Sequence, residues 1–426
     1  MTPRAELVLP LASAAATEAP RFGPKAANLA ALGRAGLPIP GGFAVDAQAY
    51  RVQLAALGLE ETARGVFSTE GPEARRHALR MRLGLMDQPI VPEVREPLLA
   101  AWRATMATPE ARGVVRSSAL VEDRFGSSFA GQFESFLGLA SEAEFLTAVR
   151  ACWAALWSTR ALRYMATHEV DPADTAMALL IQPLVPALVS GGGLSRTADG
   201  GMLLTAARGL GSAIAQGEVV PDRYELDRNG RLREARAGRK YARVGCIHGK
   251  RSARRSLFAT PCLDDGQATE LGRMLRAAED LLGRPVEIEW ALDDSGPKLL
   301  QARPLQVAPP HVPDEIWLQH PRLNGHAAGV GWGTGRARVV NCECELARVG
   351  PGDVLVTTVA GPALTGVLAQ VAGVVAELGG STSHLASLAR ERGVPMVLGV
   401  PEATLRIPDG SMVAVDGVAG VVRWMN

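Results

Sequence analysis

Short apolar-rich runs separated by turn residues, alternating with polar positions at 286–290, fall over six stretches of the first 308 residues: 113–117, 136–139, 178–182, 202–207, 286–292 and 297–301. That pattern predicts strands. Residues 24–36 read as a helix with Pro24 in its first turn, where a missing N–H costs little. Residues 46–112 read as a longer helical stretch, so this part of the chain is α+β. Beyond it, strand-like runs at 336–340, 353–357, 371–376, 395–400, 412–415 and 420–424 enclose two helix-like pieces, 361–370 and 383–392. This predicts a compact β/α domain. Cys342-Glu343-Cys344 reads as alternating strand, since two thiols without distant partners make a poor metal site. Between the two parts, Pro309, Pro310 and Pro313 fall within five residues. Such a segment is extended and semi-rigid, and roughly ten residues of it at about 3.1 Å each reach some ~30 Å. The expected division is 1–308, a linker at 309–314, and 315–426.

Composition narrows the classes. The 426 residues suffice for two or three domains. With 45 basic and 44 acidic side chains the net charge is +1. No global field therefore points to nucleic acid or membrane as a partner. No apolar run of about 18 residues predicts a membrane span. The N-terminus, which carries Glu6 and Pro10, reads as a soluble start and not as a signal peptide. Five scattered cysteines without a framework point to a reducing, cytoplasmic setting.

Candidate chemistry concentrates near residue 384. Gly379 and Gly380 allow a tight turn. Ser381, Thr382 and Ser383 are each competent N-caps. His384 then opens a short helix that Gly393 and Pro395 stop. Unpaired N–H groups and the positive end of the helix dipole face an anion there. The same field disfavours imidazolium, so a neutral, nucleophilic His384 is expected near pH 7. The segment alone describes an ordinary capped histidine equally well. Arg390 lies about 240° around the helix from His384 and is not assigned to a phosphoryl group.

Other residues suit phosphate and metal. Lys25 sits in the first turn of its helix, against the dipole, which suggests a compensating anion such as a nucleotide phosphate. A solvated surface lysine is the other reading. Arg116 ends a strand and is followed by Glu122, Asp123 and a Ser/Gly-rich loop at 126–132. Small residues let loop amides approach phosphate, although no GxxxxGK[ST] string is present. Residues 286–292 and 298–304 read as a hairpin. Alternation puts Glu287 with Glu289, and Gln301 with Arg303, on shared faces. Carboxylate and amide oxygens suit Mg²⁺, and the guanidinium suits phosphate. A cross-strand Glu–Arg salt bridge is the alternative. The basic loop 249–255 is a solvated loop or a lid over phosphates.

Taken in order, these segments resemble the dikinases that make a phosphohistidine from ATP: phosphoenolpyruvate synthase, pyruvate phosphate dikinase and rifampin phosphotransferase. The carrying motifs are GPKAANLAALGRAGLPIPGGF, VVRSSALVEDRFGSSFAGQ, RGLGSAIAQGEVVPDRY and VEIEWALDDSGPKLLQARP, then DVLVTT and GVVAELGGSTSHLASLARERGVPMVLGV. The resemblance implies an ATP-grasp nucleotide domain followed by a swivelling phosphohistidine domain. It implies that Lys25, Arg116 and Arg303 hold ATP phosphates. It implies that Glu289 and Gln301 bind Mg²⁺, and that the loop with Ser128 and Gly131 covers the phosphates. Backbone near Gln182 and Leu184 would meet adenine. His384, with Thr382 beside it, would take the phosphoryl group.

The chain also departs from the family pattern. Pro24 replaces a usual Gly, Ser212 a usual Glu, and Leu188 a second carboxylate. Asn426 comes eleven residues after Val415, whereas a pyruvate-binding barrel needs roughly 200 residues. The expected acceptor is therefore a small hydroxyl compound or pyruvate on a separate barrel subunit. The alternative is a nucleotide-binding phosphocarrier without its own acceptor site. An ATP-grasp ligase would leave the GGSTSH segment without a role.

Overall fold

The computed structural model describes residues 6–122, 133, 135–167, 170, 175–239, 241–242, 254–255, 260–309 and 314–425. Ser128, Gly131, their loop at 126–132, most of the basic loop 249–255 and linker residues 310–313 lie outside the described residues. Two compact units form: Met1–Val185 with Lys298–Arg303, and Pro186–Pro297 with Pro304–Asn426.

In the first unit five strands form an antiparallel sheet in the order Val8–Pro10, Phe43–Val45, Met177–Pro183, Gly113–Ala119, Ser135–Leu139. Helix Ala19–Arg34 begins earlier than the sequence predicts, because a short turn runs into it across a kink at Gly23 (φ 70°, ψ 163°). A Cβ at Gly23 would meet the Ser118 carbonyl oxygen at 2.1 Å, so glycine is required there for conformation and for space. The stretch 46–112 resolves into four helices, Ala47–Ala56, Glu60–Ser68, Gly71–Asp87 and Pro92–Thr105. Gly58 lies between the first two and Gly71 opens the third, both with positive φ. Trp102 stacks on Phe145 with ring centroids 4.3 Å apart, and the buried Trp157 Nε1 donates to Tyr50 Oη at 2.9 Å.

Among the described residues the second unit holds two large sheets and a two-stranded antiparallel pair, Tyr241–Ala242 with Arg254–Arg255. Strands Val286–Asp293, Val189–Leu194, Met202–Arg208, Asp222–Leu226 and Leu232–Arg236 are antiparallel neighbours in that order. Helix Asp265–Leu282 packs on them. An Asp264/Gln267 capping box starts it and left-handed Gly283 ends it. The other sheet has eight strands, with parallel pairing through Trp332–Val340, Val354–Thr357, Gly373–Ala376 and Met396–Leu398, and antiparallel strands at its edges. Its core is a valine-rich cluster closed by Ile407 and Trp424. Two expectations need correction. The piece expected as a helix at 361–370 is a 3-10 turn, Pro362–Gly366. Cys342 is not in a strand: its Sγ accepts from Cys344 N and caps the 3-10 helix Glu343–Arg348. A thiol that captures a backbone N–H overrides the apolar alternation there.

Buried Glu279 ties helix to sheet through Arg196 (2.8 Å) and Arg228 (2.9 Å). Burial alone pushes its pKa up, but hydrogen bonds from Arg228, Ser195 and Arg196 outweigh that and hold it at about 2. A depressed carboxylate contributes stability above its unfolded pKa of about 4.3 and loses it as pH falls toward the folded value. Glu279→Gln is expected to cost about 2 kcal/mol at neutral pH. In urea titrations the gap to the unsubstituted protein should close as pH falls from about 4 to about 2.

Candidate functional site

Helix Ala19–Arg34 lies between two strands of the first unit. On one side Lys25 Nζ donates to the Ser117 carbonyl at 3.0 Å and to Glu122 Oε1 at 2.9 Å. On the other, Asn28 Nδ2 donates to the Ala302 carbonyl at 3.1 Å, and Leu299 N to the Pro38 carbonyl at 2.9 Å. Ala302 is flanked by Gln301 and Arg303, both buried. The anion opposite Lys25 is thus a carboxylate of the chain itself. Glu122 is almost fully buried, and its partner role is not readable from local sequence because 97 residues separate the pair. Arg116 sits mid-sheet, opposite Leu180 on one side and Ser135 on the other. Gln182 pairs with Val114, and Leu184 N is already used by the Arg112 carbonyl at 2.7 Å. Among the described residues the buried Gln182 Nε2 has no hydrogen-bond partner.

The second unit seats the histidine loop on a sheet. His384 is the first residue of helix His384–Glu391, and Ser383 caps it by accepting from Ala386 N at 3.2 Å. Gly379 turns the chain with φ 102°. Gly380 lies so close to Pro221 that a Cβ would be 2.6 Å from its ring. Thr382 shares a 2.5 Å hydrogen bond with Thr205 Oγ1. It also rests on Gly192, where a Cβ would fall 2.6 Å from Thr382 Cβ. Gly192 is the cross-strand partner of both Thr205 and Glu289. The strand bearing Glu289 is therefore one strand away from the loop that presents His384. The run Gly191-Gly192-Gly193 inside a strand is the sequence signal for this close approach.

Glu287 shares its strand face with Glu289 but serves a different partner. Its carboxylate accepts from Ser387 Oγ at 2.7 Å and from Arg390 Nη2 at 2.8 Å. Arg390 Nη1 donates to the Ser381 carbonyl at 2.6 Å and to the Ala328 carbonyl at 3.2 Å. All three side chains of this Glu287–Ser387–Arg390 set are buried. The Glu287–Arg390 ion pair thus links this strand to the histidine helix.

The donor set fits the expected ligands. Lys25, Arg116 and Arg303 are cations suited to phosphate oxygens, and the orphaned Gln182 amide is a donor that a bound group would satisfy. Glu289 and Gln301 offer the hard oxygens that Mg²⁺ takes. Among the described residues no cluster of three or more His, Cys, Asp or Glu side chains forms a metal site on its own. No helix among the described residues is long and apolar enough to cross a membrane.

Comparison with known proteins gives the class first. Residues 19–318 match the family described as pyruvate phosphate dikinase, AMP/ATP-binding domain, and residues 349–420 match the PEP-utilising enzyme, mobile domain. The chain belongs to the phosphohistidine dikinase family, with an ATP-grasp-like nucleotide domain followed by a PEP-utiliser domain. A probable phosphoenolpyruvate synthase of Methanothermobacter thermautotrophicus is 29% identical, over 94% of this chain and 61% of that protein. The phosphoenolpyruvate synthase of Aeropyrum pernix is 31% identical over 95% of this chain and 56% of its own length. That of Escherichia coli is 30% identical over 90% and 52%. The chain thus spans a little over half the length of these curated relatives.

Proposed function

We propose that the chain is an ATP-dependent phosphotransferase in which His384 carries the phosphoryl group. The observation that supports this reading best is the seating of the histidine loop. Thr382 lies on Gly192 and Thr205, next to the strand of Glu289. A neutral His384 ring nitrogen attacks the β-phosphorus of ATP; an N–P bond forms, the bridging α–β P–O bond breaks, and AMP leaves. Water then removes the terminal phosphate from the pyrophosphorylated histidine, leaving phospho-His384. The N–P bond is next broken by an oxygen of the acceptor, a small hydroxyl compound or pyruvate on a separate barrel subunit. Lys25, Arg116 and Arg303 bind and orient the triphosphate, with adenine near Gln182 and Leu184. Glu289 and Gln301 would hold Mg²⁺, which supplies charge neutralisation when bound. Thr382 positions the loop. Residues 315–426 are the mobile carrier and 309–314 the tether. The setting is the cytoplasm.

Nucleotide products test this reading. With ATP and Mg²⁺ the protein is expected to release AMP and phosphate in a burst of about one equivalent per chain, sustained only when an acceptor is added. ADP as the sole nucleotide product would overturn the reading.

A further inference from the structure

The second unit contains a cavity of about 580 Å³ that none of these roles uses. Its volume is that of an ordinary small-molecule site. Arg196, Arg223, Arg233, Arg236 and Arg390 line it, against two carboxylates, Asp199 and Glu225. Several of these cations have partners: Arg223 pairs with Glu225 at 3.0 Å, Arg236 with Glu234 at 2.5 Å, and Arg196 with Glu279 at 2.8 Å. Arg233 has no ion pair at bonding distance among the described residues. Each guanidinium has five N–H donors in a fork that matches carboxylate or phosphate, so one carboxylate partner leaves donors to spare.

His326 is the second observation. It lines the same cavity, is only partly exposed, and makes no hydrogen bond through its ring among the described residues. Its pKa is lowered to about 4, first by burial and then by the charges of Arg223, Arg239 and Arg236. Burial is the main reason this histidine stays neutral, and the three arginine charges act in the same direction, as they would beside an anion site. Lysines are absent from the lining; the planar, forked cation is used throughout.

We propose that this cavity is a binding site for a small polyanion, a molecule with two or more carboxylate or phosphate groups. Arg233, Arg223 and Arg236 provide the charge-assisted hydrogen bonds and His326 adds a neutral ring N–H. The site is distinct from the phosphate-binding set around Lys25, which lies in the other unit.

Calorimetric titration of metal-free protein with inorganic pyrophosphate, and separately with citrate, tests this and tells phosphate from carboxylate ligands. Titrations in a Lys25→Met background keep the nucleotide lysine out of the result. At least one probe is expected to bind saturably, one per chain, and Arg233→Glu is expected to weaken it about tenfold or more. Arg233 is exposed on strand Leu232–Arg236, so the variant is expected to fold. In the unsubstituted protein the His326 ring, followed by NMR and assigned with His326→Gln, should titrate near 4 alone and higher once the probe is bound. The proposal fails if neither probe binds at millimolar concentration. It also fails if Arg233→Glu binds as tightly as the parent, or if the His326 titration does not move.

Discussion

Gly192→Ala is expected to slow phosphorylation of His384 about 100-fold while leaving the protein folded. The added methyl would lie 2.6 Å from Thr382 Cβ and 2.9 Å from its Cγ2 and Oγ1. Carbon atoms in contact sit about 3.5–4.0 Å apart, so the loop must lift by about 1 Å. Rotating the threonine does not relieve this clash, because Cβ is attached directly to the loop backbone. Gly192 lies in a strand and has no positive φ, so the backbone itself accepts alanine. The effect should therefore fall on the position of His384 and on the Thr205–Thr382 hydrogen bond. A displacement of that size costs about two orders of magnitude in a reaction that relies on aligned atoms. Rapid-quench measurement of label on the protein checks it. A folded variant with the unsubstituted rate would show that the seating on Gly192 is unimportant.

Glu287→Ala should be the most destabilising of the substitutions considered, at about 3–5 kcal/mol. The carboxylate faces Arg390 and Ser387 with side chains only 5% and 7% exposed at the ion pair. Removing it takes the opposing charge from a guanidinium already withdrawn from water, and that penalty exceeds the value of the pair itself. Glu287→Gln keeps the shape and one acceptor oxygen and should cost less. Glu287→Met with Arg390→Met removes both charges and should recover much of the loss. Urea unfolding of the four proteins measures the series. Equal stability of Glu287→Ala and the parent would mean that strand and histidine helix are not held by this pair.

The sequence pattern marks elements well where local periodicity and burial agree. The strand read at 286–292 is Val286–Asp293, and the helix read at 383–392 is His384–Glu391. It misleads where one side chain captures backbone, as at Cys342, or where glycines break a helical run, as at Gly58 and Gly71. Partners far apart in the chain are hidden for another reason. Glu122 is 97 residues from Lys25, Thr205 is 177 from Thr382, and Glu287 is 103 from Arg390. No local rule couples such positions; only the fold does. The helical angle that turns Arg390 away from the His384 ring says nothing about where its guanidinium ends, which is on Glu287 and the Ser381 carbonyl. Lys25 carries a similar lesson: its unfavourable place in the helix does imply an anion, and the nearest one is Glu122.

The measurement closest to the central claim uses ATP labelled in the β-phosphate. With Mg²⁺ the protein should acquire label that is stable in base and lost in acid, AMP should form in equal amount, and His384→Ala should acquire none. Label that never attaches, or that attaches equally to His384→Ala, would contradict a phosphohistidine at position 384.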